Sequence, residues 1–472
     1  MAFPLFFFVA KHLTDRYMGL SVVILAAGQG TRMRSVLPKV LHKLADKPLL
    51  EHVIASAKSL GADDIHVVYG HGGDAVPTTL AHCDVDWIKQ QEQLGTGHAV
   101  AQAIPHIPAG RQVLILYGDV PLTSVDTLKK LIELGQQSGF GLLTISLKDS
   151  TGYGRIIRDE SGTVVRIVEH KDATETERQI KEVNTGILAV SRENLALWLE
   201  QLDNNNSQGE YYLTDIIAMA VADGIKINTA SPATEHEVLG INNKRQLASL
   251  ERSYQLEEAK KLMDAGVGLR DPARLDIRGN VSCGRDVSID INVVFEGQVE
   301  IAENVTIGPN CLIINSRIEA GANVLANTII ESAVVGKNSN VGPFARIRPE
   351  TVLAESSRIG NFVEIKKAKI GVGSKVNHLS YVGDSVVGND VNIGAGTITC
   401  NYDGANKHLT EIGDGVFVGS DTQLVAPVKI GAGATIGAGS TITKEVDAGS
   451  LALSRSKQVS KSGWKRPKKN KN

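Results

Sequence analysis

The chain carries two hydrophobic rhythms, one after the other. Over residues 21–238, short apolar runs alternate with stretches of helical spacing. Residues 22–25, 65–69 and 113–117 are continuous apolar runs, the signature of strands covered on both faces. Between the first two, Leu50, Val53, Ile54, Ala57 and Leu60 recur at helical spacing and Gly61 supplies a stop. After the third, Ser124 is an N-cap for a helix that carries Leu128, Leu131 and Ile132 and is expected to end at Gly135. This alternation predicts an α/β domain with a mainly parallel sheet. Such sheets bind ligands beyond the carboxyl ends of their strands.

Residues 243–265 read as one exposed helix and a natural domain boundary. Leu247, Leu250, Tyr254 and Leu262 fall near one face, Glu257 and Lys261 form an i,i+4 pair, and Gly266 ends it. Beyond it the period becomes six. Leu275, Val281, Val287, Val293, Val299, Val305 and Cys311 form one column, and Ile277, Cys283, Ile289, Phe295, Ile301, Ile307 and Ile313 another. The phase slips near Ser316, resumes with Val335, Val341 and Ile347, and returns as Ile412, Val418, Leu424, Ile430, Ile436 and Ile442. This predicts a parallel β-helix of short strands, with aliphatic ladders inside and glycine, as at Gly308, where a Cβ would clash. Cys283 and Cys311 are expected as small hydrophobes in the ladders. Such a coil has little concave surface of its own, so chemistry on it implies a neighbouring coil in a symmetric oligomer.

Composition narrows the class. A length of 472 residues exceeds what one hydrophobic core supports. Lys+Arg 50 against Asp+Glu 52 leaves a net charge of −2, which gives no electrostatic case for nucleic acid or an anionic membrane. Aromatics at 4% weigh against base-stacking platforms. Cys83, Cys283, Cys311 and Cys400 form no CxxC pair, which argues against a disulfide framework or zinc cluster and for a cytoplasmic setting. The apolar stretch 2–10 lacks a basic flank and is too short to span a bilayer. Residues 1–17 are expected as an extension ahead of the first domain.

Candidate chemistry falls in two places. The first strand runs into Leu25-Ala26-Ala27-Gly28-Gln29-Gly30-Thr31-Arg32-Met33, with Lys39 just beyond. Glycines there let backbone N–H groups approach phosphate, and Arg32 and Lys39 neutralise its charge. Met33 replaces the third glycine of GxGxxG and no GxxxxGK[ST] occurs, so dinucleotide and P-loop readings are weak and a plain tight turn stays open. The third strand ends in Tyr117-Gly118-Asp119, where an acid is placed to hold Mg²⁺ or to cap a turn; Asn242 offers a second oxygen. On the coil, Arg348, Lys366 and the run His378-Leu379-Ser380-Tyr381 break the pattern, and residues 400–407 interrupt the register as a projecting loop. An arginine fork suits phosphate oxygens, and a largely neutral imidazole suits a general base; a solvated corner histidine is the plainer reading.

The segments LAAGQGTRM, LPK, QLGTGHA, YGDVP, TGYGR, VEHKDA, EVNTGI and QGEYYLTD, followed by a hexapeptide coil, resemble the bacterial bifunctional N-acetylglucosamine-1-phosphate uridyltransferase / glucosamine-1-phosphate N-acetyltransferase family. The resemblance runs from Ser21 nearly to the end. It implies a Rossmann-like nucleotidyltransferase domain at 18–242, a linker helix at 243–266, a left-handed β-helix acetyltransferase domain at 267–455 and a basic tail at 456–472. It implies acetyl transfer from acetyl-CoA to glucosamine 1-phosphate, then uridylyl transfer from UTP with Mg²⁺. The product is UDP-N-acetylglucosamine, a precursor of cell-wall and outer-membrane glycans, made by a cytoplasmic homotrimer. Leu25, Ala26, Ala27, Gly28, Lys39, Gln90, Gly95, Thr96 and Gly118 would contact the nucleotide, with Arg32 and Tyr117 beside them. Gly154, Glu169 and Asn184 would contact the sugar, and Asp119 and Asn242 would hold Mg²⁺. On the coil, His378 would be the general base. Arg348 and Lys366 would bind the sugar phosphate, and Tyr381 and Asn392 would complete that pocket. Ala395, Asn401, Tyr402, Ser420, Ala438 and Arg455 would hold acetyl-CoA, Arg455 reaching the CoA phosphates of an adjacent coil. The rival reading is a uridyltransferase with an inert, trimer-forming coil.

Overall fold

The computed structural model describes residues 19–469, so the expected N-terminal extension lies outside the described residues. The chain divides into two compact units between Tyr254 and Gln255, inside the helix Lys244–Asp264.

In the first unit the three apolar runs become strands Leu20–Ala26, Asp64–Tyr69 and Gln112–Tyr117, parallel, with Leu20–Ala26 in the middle. Glu182–Ser191 pairs antiparallel to Gln112–Tyr117 and leads on to Phe140–Ser146 and Ile227–Ala230, while Asp86–Lys89 closes the other edge. Val22, Ile24 and Leu114 enter one core, and Val23, Val113 and Ile115 the opposite one. Both faces are therefore dry, which is why these runs show no polar alternation.

Ser124 caps its helix as expected, its hydroxyl accepting from Thr127 N at 3.2 Å. The helix does not end at Gly135. It spans Val125–Ser138 and closes at Gly139, φ 86°. Gly135 faces the sheet instead, where a Cβ would stand 2.8 Å from the Ala189 carbonyl oxygen. Its glycine serves close helix–sheet approach, a requirement that is invisible to a local stop rule. In the helix Lys244–Asp264, Leu250 packs with Met33, Leu44 and Leu49, while Ala259 and Leu262 enter the core of the second unit. Lys260 pairs with Glu257 and Lys261 with Glu258, both at 2.6 Å, in place of the expected Glu257–Lys261 contact.

The second unit is the expected coil of short parallel strands. Most successive turns pair residues 17 or 18 positions apart, as Val294 with Leu312 and Ile307 with Val324. The slip at Ser316 is one residue lost from a turn. Its hydroxyl accepts from Ala333 N at 3.1 Å and donates to Ile314 O at 2.6 Å. Residues 400–407 lengthen another turn, so that Val387 lies opposite Ile412 and Ile393 opposite Val418, 25 positions on. Gly308 sits where a Cβ would be 2.9 Å from Ala326 N of the next turn. Where glycine does not hold them, the left-handed corners fall mostly to Asn and Asp, such as Asn292, Asn310 and Asn327, whose short side chains tolerate positive φ. Phe344, Phe362 and Leu379 hold such corners too, at φ 56°, 56° and 47°, yet are exposed. Cys311 is buried and Cys283 half-buried; burial pushes both thiols up to about 11, as suits hydrophobes of the ladder.

Phe295 is fully enclosed among these aliphatics. Phe295→Ala should lower the stability of the coil by about 3–5 kcal/mol in denaturant unfolding. A loss below about 1 kcal/mol, the scale of a surface change, would contradict the packing described.

Candidate functional sites

The first site lies beyond the carboxyl ends of Leu20–Ala26 and Gln112–Tyr117. Leu25, Ala26, Ala27, Gly28, Lys39, Gln90, Gly95, Thr96, Tyr117 and Asp119 line one cleft of about 510 Å³, joined by Gln29, Val40, Gln93, Ala99 and Glu210. Gly118 N donates to Leu25 O at 2.9 Å and ties the two strand ends together. Lys39 Nζ lies 2.5 Å from Asp119 Oδ2 and 3.2 Å from Asn242 Oδ1. Arg32, which stands outside the lining, donates to the same Asn242 oxygen at 2.9 Å. Asp119 and Asn242 thus converge on a positive centre. Two hard oxygens so placed fit Mg²⁺ when polyphosphate and water supply its other ligands. Among the described residues no group of three or more His, Cys, Asp or Glu could hold a metal unaided.

Gly154, Glu169 and Asn184 meet beside this cleft. Asn184 N donates to Gly154 O at 2.9 Å, and a Cβ on Gly154 would stand 3.2 Å from Glu169 Oε1. Thr214 donates to that carboxylate at 3.2 Å. Burial pushes the Glu169 carboxyl up, and Asp215 and Asp172 add to it, against the Thr214 hydrogen bond. Burial, then the charges of Glu169 and Asp119, likewise push the Tyr117 phenol up. Thr214 and Asp215 were missed from sequence because nothing local links them to a glutamate 45 residues earlier.

On the coil, the backbone ladder assembles the second site. Asn361 pairs with His378, and His378 Nδ1–H donates to Asn361 Oδ1 at 2.9 Å. An amide oxygen only accepts, so the contact calls for a proton on Nδ1, and in the neutral ring Nε2 is then the nitrogen with the lone pair. His378 is exposed, directly before the left-handed corner at Leu379. Gly396 N donates to His378 O at 3.4 Å, Asp421 N to Ala395 O at 2.8 Å, Gly439 N to Ser420 O at 2.8 Å, and Arg455 to Ala438 O at 3.0 Å. Ala395, Ser420, Ala438 and Arg455 therefore follow one another in a column that starts beside His378. Asn392 lies in the same sheet, paired with Lys375 and Phe417.

Past the corner come the cations and Tyr381. Arg348 donates to Glu364 at 2.7 Å, and Lys366 Nζ stands 3.6 Å from Asp384 Oδ2. Asn401 donates to that same oxygen and lies 3.5 Å from the Tyr381 hydroxyl. Asp384, 9% exposed, thereby ties Lys366 to Asn401. Lys407 reaches in from the inserted loop, and the adjacent Lys366 ammonium holds it below the ordinary lysine range. Neither Asp384 nor Lys407 was singled out as a site residue from sequence. Tyr402 is turned onto its own loop, its hydroxyl donating to Gly404 O at 2.5 Å. The Asn406 N–H and His408 hold the Asp403 carboxyl well below the usual range and pin this loop.

No described helix is long and apolar enough to cross a membrane. Residues 22–264 match the MobA-like NTP transferase domain, 277–370 the GMPPB C-terminal domain, and 409–444 the bacterial transferase hexapeptide (six repeats). A bifunctional protein GlmU of Marinobacter nauticus is 58% identical over 450 residues, 95% of this chain and 99% of that protein. Those of Nitrosospira multiformis and Pseudomonas putida are also 58% identical, over 95% and 96% of this chain and 98% and 100% of their own lengths. Identity at this level runs through both the cleft-bearing unit and the coil, and the chain belongs to the bifunctional GlmU family.

Proposed function

We propose that the chain makes UDP-N-acetylglucosamine at two separate sites. The coil transfers acetyl from acetyl-CoA to glucosamine 1-phosphate, and the cleft transfers uridylyl from UTP to N-acetylglucosamine 1-phosphate. The observation that carries this reading over an inert coil is the His378–Asn361 pair, which holds an exposed imidazole through Nδ1 one corner ahead of the strand on which Asp384 meets Lys366.

In the cleft the sugar phosphate is anionic at neutral pH, so no base is required. Its oxygen attacks the α-phosphorus of UTP, a P–O bond forms, the α–β bridge breaks, and pyrophosphate leaves. Lys39 and Arg32 balance charge, and positioning carries the rest. Asp119 and Asn242 would hold Mg²⁺, which neutralises phosphate charge when bound. Glu169 and Asn184 orient the sugar through its hydroxyls.

On the coil, the sugar amine attacks the thioester carbonyl while Nε2 of His378 accepts its proton; the C–S bond then breaks, the imidazolium gives that proton to the sulfur, and CoA leaves as its thiol. Asn361 fixes the ring through Nδ1. Arg348, Lys366 and Lys407 bind the sugar phosphate, with Tyr381 and Asn392 beside it. The column from Ala395 to Arg455, with Asn401 and Tyr402, receives acetyl-CoA. The stacked rings of Phe344 and Phe362, 5.3 Å apart and 50% and 56% exposed, with Leu379 at 64%, cap the corner between these groups. An apolar corner so placed favours a second coil packed against it, as in a homotrimer whose seams complete the site. Unpaired cysteines with nucleotide and acyl-CoA substrates suit the cytoplasm.

Three outcomes follow. Asp119→Ala should cut UDP-sugar formation by about 10²–10³-fold and leave acetyl transfer intact; equal loss of both contradicts separate sites. Phe344→Glu with Phe362→Glu should dissociate the oligomer in sedimentation and abolish thiol release while pyrophosphate release continues; a monomer with full thiol release contradicts the shared seam. For Glu169, burial makes the folded state hold its proton to higher pH than the unfolded chain. Stability of the first unit should therefore fall as pH rises from the ordinary carboxyl range upward. Glu169→Gln should flatten that slope in pH-dependent unfolding and raise the KM for the sugar phosphate; an unchanged slope contradicts the burial cause.

A further inference from the structure

Asp384 stands where the two halves of the coil site meet. It holds a left-handed corner, φ 45°, but unlike the exposed corners Asn292 and Asn310 it is buried. One coil turn on, Asn401 Nδ2 donates to Asp384 Oδ2. A carboxylate only accepts, so this contact turns the NH2 of Asn401 toward Asp384. Asn401 is also the root of the inserted loop. His408 N donates to Asn401 O at 2.8 Å and Tyr402 bridges Lys407, so the loop leaves and returns there. From the other side, Lys366 Nζ stands 3.6 Å from the same Asp384 oxygen, within ion-pair reach but beyond hydrogen-bond distance. One buried oxygen thus serves a lysine of the sugar-phosphate pocket and the root of the loop beside acetyl-CoA.

We propose that Asp384 couples the two substrate pockets of the coil, so that glucosamine 1-phosphate and CoA each tighten the binding of the other. A sugar phosphate carries more negative charge than a carboxylate and draws Lys366, with Lys407 beside it, away from Asp384. A buried carboxylate that loses its cation leans on the hydrogen bond that remains, because an unpaired buried charge is costly. The Asn401 contact then tightens, the loop root is fixed, and the acetyl-CoA pocket is formed ahead of its ligand. Coupling of this kind is reciprocal, so CoA bound first draws the sugar phosphate by the same factor. Asp384 acts through its two partners and is a positioning residue. The inference rests on the reading of the coil as the acetyl-transfer site.

The test is calorimetric titration of CoA into the full-length protein, with and without saturating glucosamine 1-phosphate. No acetyl group is present, so nothing reacts. In the wild type the sugar phosphate should tighten CoA about fivefold or more, the low end of coupling between sites. Asp384→Asn keeps the volume and removes the charge, and should bring that factor to within about twofold of unity. Asn401→Ala cuts the same link from the other side and should do likewise, and the double variant should lose nothing further. A wild type without the tightening, or a factor kept in either single variant while both ligands merely bind more weakly, would overturn the assignment. If the wild type releases no thiol from acetyl-CoA and glucosamine 1-phosphate, the reading of the coil fails instead, and the inference with it.

Discussion

Backbone hydrogen bonding between successive turns is the constraint on which the second half of the molecule depends. Each turn finds its amide partners in the turns before and after it, so whatever repeats along the chain must stack. Ile347 pairs with Ile365, both fully buried, and the aliphatic ladder results. Asn361 pairs with His378 by the same rule and fixes the tautomer that leaves Nε2 basic. Ala395, Ser420 and Ala438 are set in their column by it as well. The geometry of the proposed acyl-transfer site is therefore a by-product of the register that builds the core, and a slip of one residue would scatter both.

The first unit reaches its site differently. Parallel strands end together, and the side chains that follow them converge without a repeat to guide them. Gly118 N on Leu25 O fixes the two strand ends, and Asp119 then meets Lys39 and Asn242 from remote parts of the chain. Glu169 shows what such convergence costs. Burial and two neighbouring acids disfavour its charge, so the fold carries this carboxyl at a cost to its own stability.

The two rhythms, the Ser124 cap, the glycine-rich turn and the six-residue columns were legible because each is a local or periodic signal. Gly135 was misread because its reason, the nearness of Ala189 O, lies in another element. Thr214, Asp384 and Lys407 were passed over for the same cause: each acts on a partner that is remote in sequence or unremarkable by type. Asn361 is the instructive case. It stands one coil turn before His378, so the pairing period itself would have pointed to it.

The central claim is that the coil's register makes the acyl-transfer base and the sheet's cleft works apart from it. It is tested most directly by His378→Ala in a reaction holding glucosamine 1-phosphate, acetyl-CoA, UTP and Mg²⁺, with thiol and pyrophosphate followed separately. Neither product should accumulate, and adding N-acetylglucosamine 1-phosphate should restore pyrophosphate release to the wild-type rate. Thiol release that persists undiminished, or pyrophosphate that does not return, would contradict the account.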